Sequence, residues 1–599
     1  MLRKKRLCCK WIAFLLCIGM TLSSGSVTNA GIKTASGADI QIVSVDFLKT
    51  HQTIDGFGAA YTWYNEWLSE NIHAETAYDM FFKDSCYNIL RFRNKMGMNE
   101  YDGVAYTSEK EYYQAAKKRG QDVKVLVSSW DVPSYLCELA TDGENYYRRL
   151  IKDTEGNYDY QALAEYYADS VQAFYDAGIF VDYFSIQNEV ELQKGGTQEQ
   201  NGFYLAPKEN EYYASYIQAY IATYEEFKVR FGETMPKMTA PEAMASTTEA
   251  ITPYMVALEE SGYGDTFTEL SYHLYWGNWK ESLQEIYETY GDKYRIWQTE
   301  YYTDNFKSQI ETMINVLKYG NASAYLYWDG TWADSGLIGV NNDRNSDLII
   351  SENYYAMRHF SEHIKRGYQR IETMGAPEGT EMVAFCPTER DKIVFIASNL
   401  TENSRKITFS LPKDFHNESK EENHFKNGLV YQSVLNEGYT NDDLYQLVDT
   451  PKEEDTIELP ANSVSTIVFD IGPIEPEVTI TPTVSVKKEE PNISNLPVET
   501  EGLEQAVTCT KIKASKKLYK IKNKRKNVKI VFRLTTEPLG KLTKEKVSVK
   551  VKNKKLVKVV KRKLKIKKLV VTVKGKRKGK TILTATVGKQ KAKVRIKVK

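Results

Sequence analysis

Between about residues 40 and 370, short strand-like runs alternate with longer helical patterns, and that alternation restricts the chain to a parallel βα array. Eight runs qualify, at residues 54–59, 89–93, 123–130, 183–189, 237–242, 269–276, 294–300 and 324–328. Between them, stretches such as 160–177 and 211–229 place apolar residues three and four apart, as a helix packed on one face requires. Eight such units predict an α/β class and a closed (β/α)8 barrel over residues 31–370.

After Gly367 the pattern changes. Alternating runs at 381–385, 392–398 and 463–470 predict an antiparallel β-sandwich side domain over residues 371–471, and residues 40–48, ahead of the first barrel run, are read as an extra strand of it. Residues 472–502 are rich in Pro, Glu, Thr and Val and read as an extended linker. Residues 503–599 alternate branched aliphatics with lysine, the pattern of strands with one solvated face.

The net charge of +1 conceals a division of the chain. Residues 501–599 carry 36 Lys and Arg against 4 Asp and Glu, while residues 1–500 carry 44 against 75. The tail and the body therefore meet different partners. The start, basic over residues 1–6 and apolar over 11–20, ends in small residues at Ala30 and reads as a signal peptide over residues 1–30. The expected location is secreted, extracellular or associated with the cell wall, with no membrane span once the signal is removed. Of seven cysteines, three lie in that leader. Cys86, Cys137, Cys386 and Cys509 lack metal-ligand spacing and are expected to be buried thiols.

Two carboxylates end barrel runs: Glu189 closes Tyr183-Phe-Ser-Ile-Gln-Asn-Glu, and Glu300 closes Tyr294-Arg-Ile-Trp-Gln-Thr-Glu. A charge at the exit of a buried strand is costly unless something uses it. A pair at the C-terminal mouth of one barrel suits glycosidic bond hydrolysis, where one carboxyl protonates the leaving oxygen and the other attacks or activates water. Aromatic residues make up 12% of the chain, and rings at the mouth suit sugar stacking.

Four local contexts carry a family resemblance: Gln52-Thr-Ile-Asp-Gly-Phe-Gly58, Ser185-Ile-Gln-Asn-Glu189, Trp297-Gln-Thr-Glu-Tyr301, and Tyr354-Tyr-Ala-Met-Arg-His-Phe-Ser-Glu-His-Ile364. Over residues 40–470 the chain resembles glycoside hydrolase family 30, retaining β-glycosidases on (β/α)8 barrels with a β side domain. The resemblance implies that Glu189 is the acid/base and Glu300 the nucleophile. It implies that Arg91 keeps Glu300 charged, that Tyr275 reaches the nucleophile beside the polar wall residue His273, and that Asn188 holds the sugar 2-hydroxyl. Trp130 and Trp328 become aromatic walls, with a cis bond between Trp328 and Asp329. No metal or organic cofactor is implied.

Three departures bear on substrate. Val190 replaces the usual proline after Asn-Glu. Trp63 stands where glucosylceramidase-like members carry an aspartate. Asp329-Gly-Thr-Trp332 replaces the cationic loop that clamps a uronate, and Asp329 is expected to repel such a group. The implied activity is cleavage of a β-linked polysaccharide, xylan first, in the manner of an endo-β-1,4-xylanase without dependence on glucuronate. Alternatives within the class are a β-1,6-glucanase, a β-xylosidase or a glucosylceramidase-like enzyme; outside it, a noncatalytic glycan-binding surface protein.

The tail resembles a bacterial immunoglobulin-like domain of group 2 through residues 579–588 and the closing Val594-Arg-Ile-Lys-Val. Its charge is expected to attract an anionic cell-wall polymer. Nucleic acid is not expected, because Tyr519 and Phe532 are its only aromatic residues.

Overall fold

In the computed structural model the described residues are 40–97, 106–143, 146–192, 202–412, 415, 422–452, 454–473, 508–514, 518–521, 527–537, 546–565 and 568–598. The segment read as a signal peptide, 1–30, and nearly all of the segment read as a linker, 472–502, lie outside them. The chain divides into two compact units, Met1–Val478 and Thr479–Lys599.

In the first unit, eight parallel strands close a barrel. They are β1 (Gly56–Tyr61), β2 (Ile89–Arg93), β3 (Lys124–Ser128), β4 (Tyr183–Ser185), β5 (Lys237–Ala245), β6 (Glu269–Trp276), β7 (Arg295–Glu300) and β8 (Ala324–Tyr327). Closure comes from β8 pairing with β1, Ala324 to Gly56 through Tyr327 to Ala59. Glycine is required at Gly58, because a Cβ there would collide with the Ile89 carbonyl oxygen of the neighbouring strand. The helices that return the chain follow from periodicity and capping. In Tyr160–Asp176, Leu163, Tyr167, Val171 and Phe174 face inward, and the Asp159 side chain accepts the Ala162 amide at 3.0 Å. That cap satisfies one orphan donor, and such caps contribute about 1 kcal/mol.

Ile89, Leu126, Tyr183, Trp297, Ala324 and Leu326, from five strands, form an apolar plug within the barrel. Side chains alternate along a strand, so the residues two positions on point into the same interior one layer higher. Ile89 is thus followed by Arg91, Leu126 by Ser128 and Leu326 by Trp328. The plug excludes water from below and leaves a layer of polar groups facing the mouth.

The side domain is one nine-stranded hydrogen-bonded sheet, mostly antiparallel. Ile40–Thr53 joins it between Gln369–Met374, antiparallel, and Arg405–Ser410, parallel. Phe395 and Phe409 lie on strands four places apart in that sheet, yet their ring centroids are 4.3 Å apart. The sheet therefore curls on itself, and its inner faces meet as the two layers of a sandwich do.

The second unit has eight described strands in two antiparallel-rich sheets of four. Phe532, Val571 and Val573 from one sheet share a buried core with Leu583, Ala585 and Ile596 from the other.

Candidate active site

β4 ends at Ser185, so the expected strand through Glu189 is four residues too long. Beyond it the chain leaves the ladder. The Asn188 amide donates to the Ser129 carbonyl at 2.8 Å, the Glu189 amide to the Glu242 carbonyl at 2.9 Å, and Glu189 itself has φ 52°. A left-handed turn at a non-glycine residue is uncommon and recurs at functional sites. Glu300 is the last residue of β7, where pairing with β6 shifts register between Gln298 and Glu300.

The two carboxylates meet at the mouth. One oxygen of Glu189, one of Glu300 and a ring nitrogen of His273 all lie within 4.8 Å of one another. Arg91, wholly buried, donates to Glu300 Oε2 at 2.5 Å and to Asn188 Oδ1 at 2.6 Å. Its Nε donates to Glu242 Oε1 and to Ser128 Oγ, each at 3.1 Å. The Tyr275 hydroxyl donates to Glu300 Oε1 at 2.9 Å. One Glu300 oxygen is thus held by the guanidinium and the other by the phenol.

His273 is buried against three acids. Its Nδ1 is 3.1 Å from Glu189 Oε1 and 3.8 Å from Glu300 Oε1, and its Nε2 is 3.9 Å from Glu242 Oε1, an ion-pair distance beyond hydrogen-bond reach. Burial alone would lower the pKa of the imidazole, but Glu300, Glu189 and Glu242 together push it up to about 9. His273 is therefore an imidazolium at neutral pH, a stronger role than wall residue. The three ligand atoms, one from each residue, have the spacing of a metal site, and one of the three residues, Glu300, is already paired with Arg91.

Glu242, on β5 after the cis Ala240–Pro241 bond, was not among the expected site residues. It is completely buried, and although burial opposes its charge, Arg91 and His273 pull its pKa down to about 2. The signal was available: a lone acid in an apolar barrel run, as for the other two glutamates. For Glu300, burial is the first influence and raises its pKa, opposed by His273 and Arg91 and reinforced by Glu189. Arg91 acts in the expected direction, by charge and by hydrogen bond, and His273 shares that role.

Trp130 and Trp328 lie at the mouth, half-buried, in a cluster with Trp63 and Trp332 whose neighbouring centroids are 5.5–5.7 Å apart. The Arg91 guanidinium lies 4.5 Å from the Trp130 ring centroid. The Trp328–Asp329 bond is cis. Asp329, however, is buried; it accepts from Thr62 Oγ1 at 2.5 Å and from the Thr331 amide at 3.0 Å, and burial raises its pKa well above the ordinary carboxylate range. The expected repulsion of a uronate by Asp329 is not supplied, since the group is buried and its oxygens are taken up by Thr62 and the Thr331 amide. Val190 is likewise buried in the core. Cys137, Cys386 and Cys509 are buried as expected, and Cys86 is half-buried, not buried.

A closed parallel barrel with two facing carboxylates at its C-terminal mouth, one clamped by arginine and tyrosine, defines a class whose chemistry is acid-assisted displacement at a polarised centre. No family model matches the chain. It is 25% identical over 414 residues to the glucuronoxylanase XynC of Bacillus subtilis, covering 66% of this chain and 85% of the relative. Its fold matches a GH30 endoxylanase from Clostridium papyrosolvens C71 (TM-score 0.54, 20% identity, 72% of this chain and 100% of that one). It also matches the catalytic domain of GH30 xylanase C from Talaromyces cellulolyticus (TM-score 0.55, 18% identity, 72% and 99%). The resemblance to glycoside hydrolase family 30 thus holds in the comparisons, and the barrel with its side domain is the fold of those GH30 structures.

Proposed function

We propose that the protein is a secreted, retaining glycoside hydrolase that cleaves internal β-linkages of xylan. Glu300 attacks the anomeric carbon while Glu189 protonates the leaving oxygen; Glu189 then deprotonates water, which displaces Glu300 from the glycosyl-enzyme. The observation that carries this reading is the approach of the two carboxylates within 4.8 Å. That figure bounds one oxygen of each residue, and so close an approach accords with the short carboxyl-group separation of retaining enzymes, about 5–5.5 Å, rather than the wider separation of inverting ones, about 6.5–9.5 Å.

Charge balance supports the same assignment. Three buried carboxylates, Glu189, Glu242 and Glu300, face two cations, Arg91 and His273. Neutrality then needs one proton among these acids. Asn188, fixed by Arg91, directs its amide to the sugar 2-hydroxyl, while Trp130 and Trp328 stack on sugar faces. Residues 329–343 contain no Lys or Arg. The reading is therefore that glucuronate branches are not required, on the absence of a cation from residues 329–343 and not on repulsion. The basic second unit holds the enzyme to an anionic cell-wall polymer.

The test is Glu300→Gln assayed with wild type on linear xylan, glucuronate-branched xylan and β-1,6-glucan. The expected result is loss of reducing-sugar release with xylan binding retained, and equal wild-type turnover on the two xylans. No wild-type turnover on any β-glycan would favour a noncatalytic glycan binder, and a strict need for branches would refute the uronate reading.

A further inference from the structure

The second unit presents a row of cations on one sheet. In strand Gln590–Val598, Val594, Ile596 and Val598 are buried, and the alternate residues Lys591, Lys593, Arg595 and Lys597 face outward, Lys597 half-buried and the other three exposed. Successive members are about 6.8 Å apart, two strand residues. The neighbouring strands add to it: Lys597 pairs directly with Lys580 on Gly579–Val587 and with Lys520 on Leu518–Ile521. Lys550, on Val547–Val551, lies beyond Thr584, which pairs with Lys593. None of these four strands contains Asp or Glu.

Like charges placed directly opposite each other destabilise a sheet. Here three lysines stand side by side across adjacent strands, about 4.8 Å apart, with no acid on these four strands to offset them. A linear polyanion laid along the strand offsets that repulsion at each position. The cations are mostly lysine, one arginine among six lysines, and lysine meets phosphate oxygens as a compact point charge without the fixed two-pronged geometry that arginine offers to carboxylate and phosphate alike. No aromatic ring lies exposed on it for base stacking, since Tyr519 packs against the unit's core.

We infer that the outer face of this sheet is a binding site for a phosphodiester-linked polyol polymer, centred on Lys591, Lys593, Arg595 and Lys597. This rests on the reading that the basic unit binds an anionic wall polymer, and names the face and the ligand chemistry. Replacing each of the four residues by Gln in the full chain, and measuring binding to immobilised poly(glycerol phosphate) at rising salt, tests it. The comparison is a variant with four exposed cations of the other sheet, Lys511, Lys529, Arg533 and Lys574, changed to Gln. The expected result is about tenfold or greater loss, with a shallower salt dependence, for the first variant only. Thermal melts should show the first variant at least as stable as wild type, because it removes repulsion. Equal losses in the two variants would mean bulk charge and overturn the site, as would tighter binding to single-stranded DNA or to polygalacturonate. If deleting residues 503–599 abolishes binding while the first variant binds like wild type, the partner reading stands and this face is wrong.

Discussion

Arg91 sits where water cannot reach it, and each of its charged contacts is matched: Glu242 beneath, Glu300 and Asn188 above, Trp130 against its face. Buried ions are tolerated only when paired, so this layer behaves as a unit. Replacing Arg91 by Met leaves carboxylates unpaired and should lower stability by about 3–5 kcal/mol in chemical melts. Tyr275→Phe removes one hydrogen bond to a charged oxygen and should reduce kcat by about 10- to 100-fold with the fold intact. Glu242 supports the imidazolium. In the folded state the His273 pKa is about 9, above its ordinary 6.5, so the stabilisation is complete below pH 6.5 and lost as pH rises through 9. Glu242→Gln should flatten that loss, and NMR titration of His273 should show a lowered pKa; an unchanged value would remove Glu242 from the network. Glu189 and Glu300 were legible because each ends an apolar run in a distinctive context. Glu242 also lies in an apolar run, but no distinctive local context marks it, and its meaning depends on Arg91 and His273 arriving from distant strands.

Among elements, the barrel strands were legible from their apolar runs, but their ends were not. Residues 186–189 read as strand because Ile186 continues the pattern, yet Asn188 and Glu189 find their backbone partners on Ser129 and Glu242 outside the ladder. In the side domain, Lys49, Thr50, His51 and Gln52 carry the N-terminal strand to Thr53 without an apolar signal, and Gly428 interrupts the pattern of His424–Val434. His359, in helix Glu352–Ser361, joins barrel to side domain through Thr466 and Ser433, each at 2.8 Å. Thr466 Oγ1 donates to the His359 carbonyl, so Nδ1–H must donate to Thr466, and Nε2 accepts from Ser433. Burial holds its pKa well below 6.5, and that of His363 down to about 4. The unfolded chain then binds more protons below pH 6.5, and stability should fall as pH drops from there. His359→Gln should lessen that slope in acid melts; an unaltered slope would assign it elsewhere.

At the scale of the molecule, the charge division along the sequence anticipated two bodies with separate cores, an acidic barrel with its curled sheet and a basic two-layer unit. The sequence could not show which faces the lysines take, since that depends on strand pairing. Among the described residues no helix is long and apolar enough to cross a membrane. Deleting residues 503–599 should leave turnover on soluble xylan unchanged and reduce retention on purified cell walls; retention equal to wild type would leave the unit a spacer. The central claim is double displacement by Glu189 and Glu300, and the anomeric configuration of the first product tests it most directly. Proton NMR during early xylan hydrolysis should show the β-anomer appearing first, and initial release of the α-anomer would contradict the account.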